Sequence, residues 1–353
     1  MFFVNLAVSR CTPTHVDLEC ANLSDSALDH IISEWSQLQR LSLGAVSTKT
    51  MQQIAVLPAL RVFKVKGTRT KNAIHGNMLD VEGHDTFPVL QRLSKLDMHF
   101  SSTASAAEWR HLIECLPDAV DNHTLERLVL FDDTWPRETM RDIVTSAMVG
   151  PLLCFHELRH LTIRPRCPVH LDGATIMDMA KALARLRWLD MRGWQCTDEG
   201  PTSTLTMDDL VTFALQCPAL QAVGLSVDYL PQVPWPQPGH LPEDGRCNPS
   251  VTMMMIGDAI IEDKDSIVFA SYLSFVFPNL RSIEPYYWDR VTELLPLCRT
   301  LRQQGYMHGL RQEGREGSAA VGFGHQGGLS RGWAPEPEEE PENSDSQYVN
   351  DSP

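Results

Sequence analysis

The hexapeptide LRHLTI at residues 158–163 carries apolar side chains at positions one, four and six, and its recurrence decides how the chain folds. The same form stands at 38–43 (LQRLSL), 60–65 (LRVFKV), 125–130 (LERLVL), 186–191 (LRWLDM) and 220–225 (LQAVGL). Weaker copies open at Leu90 (LQRLSKLDM) and Leu280 (LRSIEP). The leading positions 38, 60, 90, 125, 158, 186, 220 and 280 are separated by 22, 30, 35, 33, 28, 34 and 60 residues, so the links between copies vary in length. Apolar residues repeating at positions four and six, two apart, are the mark of a short strand with one covered face.

Between the copies lie stretches with apolar residues at i, i+3, i+4 and i+7, one face of a helix. Six fit fully: Leu28-Ile31-Ile32-Trp35, Trp109-Leu112-Ile113-Leu116, Met140-Ile143-Val144-Ala147, Ile176-Met179-Ala180-Leu183, Met207-Leu210-Val211-Ala214 and Phe269-Tyr272-Leu273-Val276. Ser24 precedes the first, and Thr206 with Asp209 three residues on precedes the fifth, where hydroxyl and carboxylate can satisfy free helix-end amides. Pro58, Pro88, Pro218 and Pro278 each stand two residues before a leading Leu and end the preceding helix, because proline lacks an amide hydrogen and drives its predecessor out of helical geometry. One strand–helix unit cannot bury both faces alone, so neighbouring units must stack. The fold expected is α/β: a leucine-rich-repeat solenoid, or horseshoe, with parallel strands on the concave face and helices on the convex face. A doubly wound domain also alternates strands and helices, but its strands read as plain apolar runs.

The repeat domain is expected over residues 1–305. A proline-rich insertion, PQVPWPQPGHLPEDGRCNP, interrupts it at 231–249, ahead of a further short strand at 251–256. Residues 306–353 turn Gly-rich and then acidic, with few apolar residues to offset the entropy of ordering, and are expected to be a disordered tail. The formal charge is -15; residues 335–353 hold seven acids and no Lys or Arg, leaving -15 + 7 = -8 elsewhere. An acidic body argues against nucleic acid or an anionic membrane as partner. The nine cysteines are odd in number, scattered and without a C-x-x-C pair, which suggests reduced thiols. Neither a signal peptide nor an apolar span is apparent, so a cytoplasmic or nuclear protein is expected.

Two motifs imitate chemistry. His156-Glu157-Leu158-Arg159-His160 spells the H-E-x-x-H of zinc proteases, which works only on a helix, where residues four apart share one face about 6 Å apart. Here Leu158 heads a repeat strand, where four residues span about 13 Å, too far for two rings to reach one Zn²⁺. A zinc-dependent hydrolase using His156, Glu157 and His160 is therefore the lesser alternative. The G-x-G-x-x-G at Gly322, Gly324 and Gly327 lies in the Gly-rich tail, without the flanking strand and helix that dinucleotide binding needs. No Walker A sequence or G-x-S-x-G elbow occurs. No catalytic residue, metal or cofactor is expected. For binding, the informative residues sit between positions four and six, because alternation turns them to the concave face. These are Ser42, Lys64, Asp97, Val129, Thr162, Asp190, Gly224 and Glu284; their mixed chemistry suggests no single-sign partner. Trp135, Trp188, Trp194 and Trp235 are candidate aromatic anchors.

Residues 149–187 (VGPLLCFHELRHLTIRPRCPVHLDGATIMDMAKALARLR) resemble the F-box proteins with divergent leucine-rich repeats found in mushroom-forming fungi. The likeness continues through 205–228 (LTMDDLVTFALQCPALQAVGLSVD) and 256–283 (IGDAIIEDKDSIVFASYLSFVFPNLRSI). It implies a non-enzymatic protein–protein interaction scaffold, the substrate-recognition part of a cullin-type ubiquitin ligase receptor, holding an unidentified protein on its concave face. Family members open on an F-box beginning with a Leu-Pro-x-Glu-like motif, and nothing like it precedes the first repeat here. A Skp-type adaptor and a cullin are therefore implied as partners only if an F-box exists upstream.

Overall fold

A computed structural model describes residues 13–18, 35–44, 54, 57–68, 90, 92–100, 105–132, 143–193, 204–227, 246–256, 261–284 and 288–318. The repeat strands are β1 (His15–Leu18), β2 (Arg40–Leu43), β3 (Val62–Thr68), β4 (Lys95–Phe100) and β5 (Arg127–Asp132). Beyond a short β6 (Val144–Thr145) they continue as β7 (His160–Arg164) and, past a second short strand β8 (Val169–His170), as β9 (Trp188–Met191), β10 (Ala222–Leu225), β11 (Met253–Met255) and β12 (Ser282–Glu284). Among the described residues the ten repeat strands form one sheet in chain order, β1-β2-β3-β4-β5-β7-β9-β10-β11-β12, and every pairing is parallel. β6 and β8 pair only with each other.

Each step of the ladder repeats one hydrogen-bonding device. A single carbonyl accepts from two successive amides of the next unit: Glu126 O from Arg159 N (2.8 Å) and His160 N (3.0 Å), and Arg159 O in turn from Arg187 N (2.8 Å) and Trp188 N (3.0 Å). This sets like positions side by side. Position four becomes a file of Leu41, Phe63, Leu96, Leu128, Leu161, Leu189, Val223, Met254 and Ile283, all buried. Leading and position-six residues join them in one continuous core.

Crossovers between parallel strands need a dozen or more residues. Those leading to β5, β9, β10 and β12 contain the helices Ala106–Ala119, Gly173–Ala182, Met207–Gln216 and Asp263–Val276. The cap read from the sequence at Thr206 is present: Asp209 N donates to Thr206 Oγ1 (3.2 Å), and Thr206 N donates to Asp209 Oδ2 (2.9 Å). Ser105 and Glu108 form the same reciprocal pair before the Ala106–Ala119 helix. Six cysteines among the described residues stand outside any disulfide, and burial pushes the Cys217 thiol pKa up to about 12.

Two expectations need correction. The weak copy at Leu90 starts three residues late: Leu93, Leu96 and Met98 fill positions one, four and six, while Leu93 N donates to Leu90 O (3.2 Å) as Leu158 N does to Phe155 O (3.0 Å). The leading positions 60, 93 and 125 are then 33 and 32 residues apart, a more regular spacing. Met140-Ile143-Val144-Ala147 does not build a helix, since Val144–Thr145 is a strand and only Ser146–Val149 turns helical. Val144 pairs with Val169 instead, which suits a β-branched residue. The helix Asp289–Ser318 extends past residue 306, where the tail is expected to begin. The helix pattern from Leu28, most of the insertion (231–245) and residues 319–353 lie outside the described residues.

The end of the insertion is held in the core by one side chain. Asn248 is buried; its Nδ2 donates to Ala214 O (2.6 Å) and Cys217 O (2.9 Å), at the end of the Met207–Gln216 helix. Its Oδ1 accepts from Ser250 N (3.0 Å), and its backbone amide donates to Val276 O (2.8 Å). Asn248→Ala leaves two buried carbonyls without this donor and is expected to cost about 1–3 kcal/mol in urea unfolding, whereas Asn279→Ala, on an exposed bond to Pro249 O, costs well under that.

Candidate protein-binding face

Alternation within each strand sends positions four and six to the helix side and positions three, five and seven to the other. Because a helix is about 10 Å wide and adjacent strands only about 4.8 Å apart, helices stacked on one side place the strands on the inside of the arc. All eight position-five residues read from the sequence fall into one in-register row: Ser42, Lys64, Asp97, Val129, Thr162, Asp190, Gly224 and, past Met255, Glu284. Asp17 extends the row at the other end. Asp17 and Met255 were missed because the first strand lacks a leading Leu and the Met253–Met255 strand has no polar mark.

The structure changes which of these residues a partner could touch. Ser42, Asp97, Val129, Thr162, Asp190 and Gly224 are buried even though they face away from the core, whereas Lys64 and Glu284 keep exposed side chains. Longer side chains from the flanking rows lie over them. Arg127 Nε donates to Asp97 Oδ1 (2.9 Å) and Lys64 Nζ stands 3.8 Å from Oδ2, leaving the carboxylate 5% exposed. Asp190 is equally covered: Arg192 donates from Nε (2.9 Å) and Nη2 (3.1 Å), and Arg164 Nε stands at 3.8 Å. Gly224 provides the room, since a Cβ there would stand 2.8 Å from Asp190 Oδ1. Gly224 is therefore a spacer and not a contact.

Between the two acids lies an aromatic band. His160 stacks on Trp188 with ring centroids 5.4 Å apart and planes 5° from parallel. His99 tilts against Phe131, and the Arg164 guanidinium lies over the Phe131 ring at 5.2 Å. Burial, and secondly the positive charge of Arg127, lower the His160 pKa to about 3. The ring is therefore neutral at physiological pH, and its nitrogens are assigned by their partners: Nδ1 accepts from Arg127 Nη1 (3.4 Å), and Nε2–H donates to Thr162 Oγ1 (3.1 Å). Of the tryptophans singled out from sequence, Trp188 lies on this face; Trp135, Trp194 and Trp235 are outside the described residues. The same alternation that selects position five also places Arg127, Phe131, His160 and Arg164 on this face beside Trp188, so these four were legible and overlooked as binding residues.

The three residues of H-E-x-x-H go to separate tasks. His156 precedes the strand and its Nδ1 faces Ala182 O (3.1 Å), Glu157 pairs with Arg185, and His160 sits in β7 against Trp188. Among the described residues no group of three or more His, Cys, Asp or Glu converges on a metal position. No helix among them is long and apolar enough to cross a membrane.

A chain-ordered parallel ladder, with the Leu-x-x-Leu-x-Leu positions turned to the helices, defines a leucine-rich-repeat solenoid. No family model and no curated protein matches the chain. Among solved structures it is similar to a chain in the crystal structure of the Rad7 and Elc1 complex in yeast, at 15% identity and a TM-score of 0.43, covering 76% of this chain and 68% of that one. It is also similar to the leucine-rich repeat-containing protein LegL7 from Legionella pneumophila, at 10% identity and a TM-score of 0.28, covering 80% and 90%. Scores this low carry no argument, and the assignment rests on the repeat and its ladder.

A histidine held at about 3 when folded and near 6.5 when unfolded binds its proton only in the unfolded chain over that window. Stability is therefore intact above pH 6.5 and falls as pH drops toward 3. Relative to His160→Gln, the native chain should lose about 1 kcal/mol between pH 7 and pH 5.5, measured by urea unfolding; equal losses would contradict the neutral, buried ring.

Proposed function

We propose that the chain is a non-enzymatic scaffold that binds another protein on the strand face opposite its helices. The observation that carries this reading is the row of in-register strand residues whose flanking side chains, Arg127, Phe131, Arg164 and Trp188, form a partly exposed aromatic and arginine band. Aromatic and arginine side chains dominate protein-binding hot spots because they bury much area while retaining polar handles. The eight position-five residues act in this proposal mostly from beneath, with Asp97 and Asp190 orienting cations and Lys64 and Glu284 reaching outward. The resemblance of residues 149–283 to fungal F-box repeat proteins supports the finer reading: this is the substrate-side portion of a ubiquitin-ligase receptor working in the cytoplasm or nucleus.

Photo-crosslinking tests both levels. With p-benzoylphenylalanine at Lys64, Lys95 or Arg164, the chain should capture the same partner in cells, and with the probe at Lys181 on the Gly173–Ala182 helix it should not. Capture from Lys181 alone, or from no position, rejects the strand face as the binding surface. Recovery of a Skp-type adaptor and cullin with the full-length natural protein supports the ligase role; their reproducible absence alongside a captured partner removes it.

A further inference from the structure

The chain carries -15 overall, yet the strand face from β3 to β7 is basic. By register its open-side residues include five cations, Lys64, Lys66, Lys95, Arg127 and Arg164, against one acid, Asp97, whose carboxylate is 5% exposed. The side chains of Lys64, Arg127 and Arg164 are 44%, 36% and 43% exposed. The buried acid fixes the cations and is itself shielded, so an approaching molecule meets positive charge. On β9 the Asp190 carboxylate plays the same part between Arg164 and Arg192, while Arg192 also lies 3.7 Å from Glu284.

Asp97 and Asp190 occupy the same register position on β4 and β9, three strand steps apart across β5 and β7. At about 4.8 Å per step the two cation clusters are about 14 Å apart. An extended chain covers that distance in four residues at about 3.4 Å each. Between the clusters lie Val129 and Thr162, flanked by the Phe131 ring and the His160–Trp188 stack, with His160 neutral.

We infer that this face binds an extended acidic segment of another protein, running across the strands, with two carboxylate side chains four residues apart and an apolar side chain between them. One carboxylate seats at Lys64 and Arg127, the other at Arg164, and the apolar residue lies between them over Val129 and Thr162, against the His160–Trp188 stack. A guanidinium held by a buried carboxylate is pre-aimed for a second carboxylate, so little side-chain entropy is lost on binding. A nucleic acid suits the face less well. Its charge repeats about every 1.7 Å along a duplex, whereas two clusters about 14 Å apart on an otherwise acidic chain match two discrete anions.

This inference rests on the strand face being the binding surface, and the experiment separates the two. Fluorescence anisotropy of the full chain would be measured with a labelled GSEAFAESG peptide, with a GSAEEFASG control of equal composition, and with an oligothymidylate. The first peptide should bind at least 10-fold more tightly than the control. Lys64→Ala and Arg164→Ala, both partly exposed cations, should each weaken it 5- to 10-fold, while Arg290→Ala on the C-terminal helix leaves it unchanged. Equal binding of the two peptides, indifference to Lys64→Ala and Arg164→Ala, or oligothymidylate binding as tightly as the spaced peptide would each overturn the inference. If crosslinking from Lys64 or Arg164 captures a partner while neither peptide binds, the acidic-segment assignment falls and the face assignment stands. If crosslinking also yields nothing, both fall.

Discussion

The structure depends on one backbone arrangement, a carbonyl that accepts from two successive amides of the next unit. From Thr14 through Gln39, Arg61, Ser94, Glu126, Arg159, Arg187, Gln221 and Thr252 the same exchange recurs along the ladder. Each instance is a modest interaction, since folding trades hydrogen bonds with water for bonds within the protein. Its importance is positional. Once two adjacent units share this register, a slip of one residue would turn a position-four leucine to the open side and a charged position-five residue into the core. Hydrogen bonding and burial therefore select the same alignment, and variable crossovers between strands are tolerated because none of them sets it.

The same register creates an electrostatic problem on the open side. Asp97 and Asp190 lie in the crowded middle row, where a carboxylate loses most of its water, and an unpaired charge there would be costly. Both are compensated by cations arriving from neighbouring positions: Arg127 and Lys64 for the first, Arg192 and Arg164 for the second. The consequence extends beyond stability. Shielded acids and partly exposed bases leave cations outermost over β3 to β7, and their long side chains are restrained by the acids beneath them. Gly224 belongs to this arrangement, because any side chain there would displace the Asp190 carboxylate.

The H-E-x-x-H sequence shows how strongly register governs chemistry. With Leu158 leading a strand, His160 becomes an open-face residue stacked on Trp188, and His156 stays in the preceding turn against a helix-end carbonyl. The burial that lowers the His160 pKa also makes it a fixed, neutral element of the aromatic band. Asn248 is a second case of context deciding a role. It lies in a stretch whose prolines argue for a loop, yet its amide closes the end of the Met207–Gln216 helix and anchors the chain returning to β11.

Periodicity alone determined the α/β solenoid, the strands led by Leu38, Leu60, Leu125, Leu158, Leu186 and Leu220, most of the helices, and the row running from Ser42 to Glu284, because these depend on which residues must leave water. Where the signal was local and ambiguous it misled. At Leu90 two leucines three apart both fit the lead position, and at Val144 β-branched residues carry a helical spacing. Only the tertiary structure decided what the row presents. Alternation says that Asp97 and Asp190 face the open side, but whether a carboxylate there is offered or covered depends on where cations fold over it: Arg127 and Lys64 from neighbouring strands for the first, Arg192 two residues on and Arg164 from the neighbouring strand for the second. Likewise the about 14 Å between the two cation clusters is set by counting strands across the sheet, a distance that no spacing along the chain records.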